Sequence, residues 1–362
     1  MSNILSCVLA DVRNGVGHLT LNRPDDLNAL TLPMVRQLFR YLGAWEKDSA
    51  IRAVVLRGAG NRAFCAGGDI RQLYESHRTG DNQHELFFEE EYALDEYLHN
   101  YPKPVLALMD GFVLGGGMGL AQAATLRVIS ERTRMGMPEV GIGFFPDVGG
   151  SYFLPRLPGE LGLYLGVTGT QVRAADAIYS GLADYCLSSA RFPELDKTLD
   201  QMTWSSAPLE DLNSLIKSLA SEQVLGSELK AYRQAIDQYF NLPDLPTIRT
   251  ALQSEERPEL LDWAEETVRL LDSRSPLSMA VTLELLRRGR YLSLGDCFAM
   301  ELHLSYQWFD KGDLIEGVRA LIIDKDKNPQ WNPPTLADLE PVGIQSFFRG
   351  FRPATGKPLR KA

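Results

Sequence analysis

The chain has 362 residues, 44% of them hydrophobic and 23% charged, a globular composition with enough length for one large core or two of ordinary size. Lys+Arg 37 against Asp+Glu 47 leaves a net charge of −10, which disfavours nucleic-acid binding by bulk attraction and leaves only a local basic patch for an anionic ligand. No apolar run is long enough to cross a bilayer, and the opening MSNILSCVLADVRNG lacks the basic start and apolar core of a secretory signal, so the expectation is a cytoplasmic protein with no membrane partner.

In chain order, ILSCVLADVRNGVGHLTLN reads as two short strands joined at Asn14-Gly15, a strong hairpin turn. TLPMVRQLFRYLGAWE then switches to helical spacing, with Thr31 as its cap and Pro33 in the first turn, where a missing N–H costs little. RAVVLRG (52–58) and PVLALMDG (104–111) are further strands, and FFEEEYALDEYLHN (87–100) between them has the spacing of a helix packed by one face. The alternation suggests repeated ββα units or an α/β layer fold. From about residue 190 the texture becomes helical, with PLEDLNSLIKSLA, SELKAYRQAIDQYF, RPELLDWAEETVRLLD, SPLSMAVTLELLRRG and LGDCFAMELHLSYQWF separated by Gly, Pro and Ser. Ser275 before Pro276 is a good helix start. The expected division is a core over 1–190 and a helical C-terminal region over 191–362.

Cys7, Cys65, Cys186 and Cys297 are scattered, fitting neither a disulfide framework nor a zinc site. Free thiols packed as small hydrophobes are expected. The five histidines show no metal-ligand spacing, so no metal is expected.

Two glycine-rich loops follow candidate strands: GNRAFCAGGDI (60–70) and LGGGMGL (114–120). The second is a weak match to a dinucleotide fingerprint, because the GxGxxG order and a suitably placed acid are missing. Three glycines before an alanine-rich helix do bare the amides of a helix start. Two such loops on neighbouring strands can aim two N–H groups at one oxygen, as a thioester carbonyl gaining charge requires. The bland alternative for GNRAFCAGGDI is a tight connection in which Gly67-Gly68 meet a local φ > 0 requirement.

GMPEVGIGFFPDVGG (136–150) carries Glu139 and Asp147, in a segment too broken by Gly and Pro to be one helix. Asp147 could cap the helix that follows, and Glu139 could be an ordinary solvated residue. Their apolar neighbours, Met135, Met137, Val140, Ile142, Phe144 and Phe145, favour partly desolvated carboxylates suited to proton transfer.

LTLNRPDDLNAL, NRAFCAGGDI, FFEEEY, MDGFVLGGGMGL, MGMPEVGIGFFPDVGGSYFLPRL and GDLIEGVRALIIDKDKNPQW together resemble the crotonase (enoyl-CoA hydratase/isomerase) superfamily, and within it the 3-hydroxyisobutyryl-CoA hydrolase branch. The likeness covers most of the chain and is weakest over about 200–270. It implies an α/β crotonase-like fold of repeated ββα units with a helical C-terminal region packing on the core. It also implies that the amides of Gly68 and Gly116 form an oxyanion hole for an acyl-CoA thioester, and that Arg62, Ala66 and Gly67 lie near the adenine end of CoA.

In hydratases of the family a first glutamate works with the glutamate of the PE motif to add water. Here the first position is Gly119 and the second is Glu139, which resembles the hydrolase branch. By the same resemblance Asp147 would hold a 3-hydroxy group or orient water, Glu91 would contact the substrate hydroxyl or organise the pocket, and Lys325 or Lys327 would meet CoA phosphates. Glu91 also has a plain reading as part of a charged helix face. Val140-Gly141 stands where relatives often carry Thr-Ala, a change in the pocket wall. The implied reaction is hydrolysis of a small 3-hydroxyacyl-CoA, in valine breakdown, with CoA as part of the substrate and no separate cofactor; a homo-oligomer is compatible with it. The rivals are an enoyl-CoA hydratase or isomerase and a non-catalytic acyl-CoA-binding protein.

Overall fold

The computed structural model describes residues 6–221 and 224–354. The expected hairpin is present: β1 (Val8–Arg13) pairs antiparallel with β2 (Val16–Leu21), with Arg13 opposite Val16 around the Asn14-Gly15 turn. Both turn residues have positive φ, at 46° and 74°, as a turn matched to the strand twist requires.

After the hairpin the chain repeats one device. A longer strand is followed at once by a short one: β3 (Ala53–Gly58) by β4 (Ala63–Cys65), β5 (Val105–Met109) by β6 (Phe112–Leu114), and β7 (Leu126–Ile129) by β8 (Arg134–Gly136). The longer strands enter one sheet, in the order β1-β2-β3-β5-β7 and closed by β10 (Tyr185–Cys186). The short strands enter a second, in the order β4-β6-β8, closed by β9 (Val172–Arg173). The ββα repeat legible in the sequence is therefore real, and each unit divides its two strands between the sheets. From β2 to β10 the first sheet is parallel, and its central strand is correspondingly apolar, all five residues of β5 being buried.

The helix expected over 31–46 is Leu32–Lys47; Thr31 occupies its N-cap position, but its side chain makes no capping bond. In the C-terminal half the helices Pro208–Leu219, Glu228–Phe240, Leu261–Ser273, Pro276–Gly289 and Leu294–Lys311 match the segments read as helical. Ser275 caps the fourth, its Oγ accepting from Ser278 N at 3.0 Å. The four cysteines are free thiols, three of them buried. Among the described residues no helix is long and apolar enough to cross a membrane.

The compact units do not divide at residue 190. One comprises 1–69, 93–135 and 172–227; the other comprises 70–92, 136–171 and 228–362. The physical reason lies in the first unit's core. Leu195, Leu199, Leu212, Ile216 and Leu219 bury themselves against Val16, Ala53, Val55, Leu106, Leu108, Leu126 and Val128 of the first sheet. Arg57 adds a two-pronged ion pair to Asp196, at 2.5 and 2.8 Å. Residues 191–219 thus complete the sheet's cover instead of starting a separate helical body.

Candidate active site

In the first unit the two glycine loops meet. The loop after β4 runs beside Leu30: Leu30 N donates to Gly67 O and Asp69 N donates to Leu30 O, both at 2.8 Å. In this parallel pairing the residue between the two bonds, Gly68, turns its own N–H to the opposite side. The loop after β6 opens the helix Gly116–Ala123 from Gly115, at φ 50° and ψ −120°, and the N–H of Gly116, in the first turn, has no acceptor one turn back. A Cβ on Gly67 would lie 3.4 Å from Leu114 O and 3.7 Å from Gly116 N, so the loops are in contact. Gly117 enforces the approach, since a Cβ there would fall 2.2 Å from Cys65 O. Gly119 sits buried one turn into this helix. Arg62 is exposed just before β4, and Ala66 is half-buried just after it.

In the second unit a cluster of carboxyl groups forms. Residues 139–142 make a single 3-10 turn closed by Gly143, whose N–H returns to Glu139 O. The loop 143–149 then leads to the short helix Gly150–Phe153. Glu139 is 7% exposed and Asp147 5%, which removes the reading of Glu139 as a solvated residue. The cap of the following helix is Gly149, so Asp147 is not its cap. Its side chain has another partner: Tyr92 Oη donates to Asp147 Oδ2 at 2.7 Å. Glu139 Oε2 is buried without a hydrogen-bond partner among the described residues.

The surroundings are aromatic. Phe144 stacks on Phe145 with ring centroids 4.3 Å apart, Phe145 meets Trp308 at 5.0 Å, and Phe88 lies 5.6 Å from Phe144. In this setting burial raises the proton affinity of Glu139 well above the ordinary carboxylate range, and the charge of Asp147 raises it further. Burial pushes Asp147 up to about 7, against the hydrogen bond from Tyr92 that favours its ionised form. The two therefore lose their protons as a coupled pair, each above its ordinary range.

Glu91 lies beside Tyr92 on the helix Gln83–His99 and is buried; it does not belong to a solvated charged face. Lys325 and Lys327 stand exposed, with φ of 59° and 56°. Their turn is braced by Arg319, which holds Asp324 at 2.8 Å and Asp326 at 2.6 Å. The structure thus joins Gly67, Gly68 and Gly116 in one unit, and in the other the side chains of Glu139 and Asp147 with Tyr92, the neighbour of Glu91.

Sequence reading missed Tyr92 and Glu301. Tyr92 closes the quoted FFEEEY segment but carries no signal of its own. Glu301 does: it is an acid on the buried stripe Cys297, Phe298, Met300, Leu304, Trp308 of its helix, where an isolated carboxylate needs a reason. It accepts from Gly149 N at 2.8 Å and from Ser151 N and Oγ at 2.8 and 2.5 Å. Burial moves its carboxyl up to about 8, with these bonds opposing.

Residues 16–348 match the family described as Enoyl-CoA hydratase/isomerase. The chain belongs to that family. Among curated members it is 39% identical over 345 residues to the "3-hydroxyisobutyryl-CoA hydrolase, mitochondrial" of Danio rerio, covering 94% of this chain and 89% of that one. The human protein of the same name is 35% identical over 346 residues, with 94% and 88% covered. Among solved structures, one titled as a carnitinyl-CoA dehydratase from Mycobacterium thermoresistibile superposes with a TM-score of 0.86 at 37% identity, covering 97% of this chain and 98% of that one. One titled as an enoyl-CoA hydratase from Rhodobacter sphaeroides gives 0.85 at 33%, covering 98% and 100%. The fold is that of the enoyl-CoA hydratase/isomerase family, as expected. These relatives' names divide between hydrolysis and water addition or removal, so the family's fold does not choose the reaction.

The Tyr92 bond makes a specific expectation. Donation to the ionised form lowers the proton affinity of Asp147, so Tyr92→Phe raises it, and the acid limb of the pH–rate profile moves to higher pH. Loss of one hydrogen bond to a charged group lowers turnover at neutral pH by about tenfold. Recovery of activity at higher pH is the check; a profile that keeps its position would assign Tyr92 to packing alone.

Proposed function

We propose that this protein hydrolyses the thioester of a small 3-hydroxyacyl-CoA, 3-hydroxyisobutyryl-CoA, to the free acid and CoA. The observation that carries this reading is the buried pair Glu139 and Asp147 together with glycine at position 119, where a hydratase of the family would place the first of its two water-handling acids. The names of the curated relatives agree with it.

In this reading the amides of Gly68 and Gly116 stabilise the charge that grows on the thioester oxygen. Ionised Glu139 either attacks the carbonyl carbon, expelling the CoA thiolate and leaving an anhydride that water opens, or takes a proton from water that attacks directly. In both routes the thiolate leaves as CoA and the oxygen of water ends in the acid. Asp147 receives the 3-hydroxy group, and Glu91 lines the substrate's end of the pocket. Arg62, Ala66 and Gly67 receive the adenine end of CoA, and Lys325 its phosphates. The pathway implied is valine breakdown. The curated relatives are named mitochondrial; for this chain a cytoplasmic location is the proposal, and fractionation of the source cells tests it.

The deciding experiment pairs thiol release from 3-hydroxyisobutyryl-CoA, isobutyryl-CoA and acetyl-CoA with the absorbance change of an enoyl-CoA given the same protein. Rapid thiol release from the hydroxylated ester, with little change in the enoyl-CoA, is expected. The reverse pattern would move the protein to the hydratase reading, and acyl-CoA binding without either reaction would make it a binding protein.

A further inference from the structure

The helix Leu294–Lys311 presents an arrangement that the reaction as drawn does not use. Glu301 is 0% exposed, and a carboxylate taken fully out of water needs several hydrogen bonds to hold it there. All three of its donors come from residues 149 and 151: Gly149 N, Ser151 N and Ser151 Oγ. Seven residues on, and so on the same helix face, Trp308 Nε1 donates to Gly143 O at 2.7 Å. The two side chains stand about 10 Å apart along the axis, and they take hold of the loop 143–151 at its two ends.

The loop needs such a hold. Val148 has φ 49° and Gly149 φ 85°. A β-branched residue in the left-handed region is strained, and such strain persists only where the surroundings over-determine it. Val148 lies directly between Asp147 and the first amide bound by Glu301. Relaxation of Val148 to negative φ would rotate the peptide that joins them and turn the Asp147 side chain away from Tyr92.

We infer that Glu301 is a positioning residue for Asp147: by binding the amides of Gly149 and Ser151 it keeps Val148 in its left-handed conformation and so aims the carboxylate that reads the substrate hydroxyl. The inference rests on the hydrolase reading above. It goes beyond it in assigning substrate selectivity to a side chain more than one hundred residues from the PEVGIGFFPDVGG segment.

The test measures kcat and KM by thiol release from 3-hydroxyisobutyryl-CoA and isobutyryl-CoA, for wild type, Glu301→Gln, Asp147→Asn and the double variant. A glutamine sets an N–H donor against backbone N–H donors and breaks part of the hold. For the hydroxylated ester, kcat in Glu301→Gln is expected to fall by about 10²-fold with KM little changed, and the preference over isobutyryl-CoA to shrink. In the Asp147→Asn background the same change should cost nothing further, because both act through one group. Losses that multiply in the double variant, or a preference kept in Glu301→Gln, would overturn the inference. Ser151→Ala guards against a folding defect: it removes only the hydroxyl bond and leaves both backbone bonds, and a smaller loss of the same preference is expected. An unchanged preference in Ser151→Ala would also count against the inference. Wild-type protein that releases no thiol from either ester would instead sink the hydrolase reading itself.

Discussion

Glu139→Gln is expected to reduce thiol release from every acyl-CoA tested by about 10³-fold, the scale of a lost nucleophile or general base, while the folded protein still binds acyl-CoA. Both routes drawn for Glu139 need its ionised oxygen, and an amide supplies neither a nucleophile nor a proton acceptor. The substitution is nearly isosteric, and Glu139 Oε2 has no hydrogen-bond partner to lose among the described residues, so stability should change little. The loss should appear in kcat with KM nearly constant, since the interaction belongs to the transition state. Binding measured by calorimetry with a non-hydrolysable CoA thioether, beside the rate, separates the two effects. Normal hydrolysis by this variant would remove Glu139 from the chemistry.

Asp147→Asn has a different signature. If the carboxylate reads the 3-hydroxy group, the preference for 3-hydroxyisobutyryl-CoA over isobutyryl-CoA should shrink by about 10- to 100-fold, the range for a hydrogen bond to a charged group. A second consequence follows from the pair. The charge of Asp147 is one of the causes that raise the proton affinity of Glu139, so removing it lets Glu139 ionise at lower pH, and the acid limb of the pH–rate profile moves down. That direction is opposite to the shift expected for Tyr92→Phe. Equal preference in wild type, or an Asp147→Asn profile displaced upward, would show that Asp147 has some other task.

What the sequence disclosed is what short-range chemistry determines. Asn14-Gly15 names its own turn, Ser275 before Pro276 names its own helix start, and the strand-then-glycine rhythm of RAVVLRG and PVLALMDG marks the repeated units. The candidate carboxylates were legible because they lie eight residues apart in one unusual segment. The groups that hold them were not. Tyr92 reaches Asp147 across 55 residues, Glu301 reaches Ser151 across 150, and Trp308 reaches Gly143 across 165. No periodicity within a helix encodes such partners; only a buried acid in an apolar stripe hinted at one. The strands β9 and β10, of two residues each, are too short to carry any alternation. The boundary expected at 190 followed a change of texture from mixed to helical, whereas the compact units follow which apolar faces need cover.

That cover has a consequence for how the chain is made. The first sheet needs Leu212, Ile216 and Leu219 to close its apolar face, so a nascent chain that has just finished β10 still shows water a broad greasy surface. Until those last apolar residues have left the ribosome, the growing polypeptide is a client for chaperones, and a message cut short near codon 190 would yield an aggregating fragment instead of a small working protein.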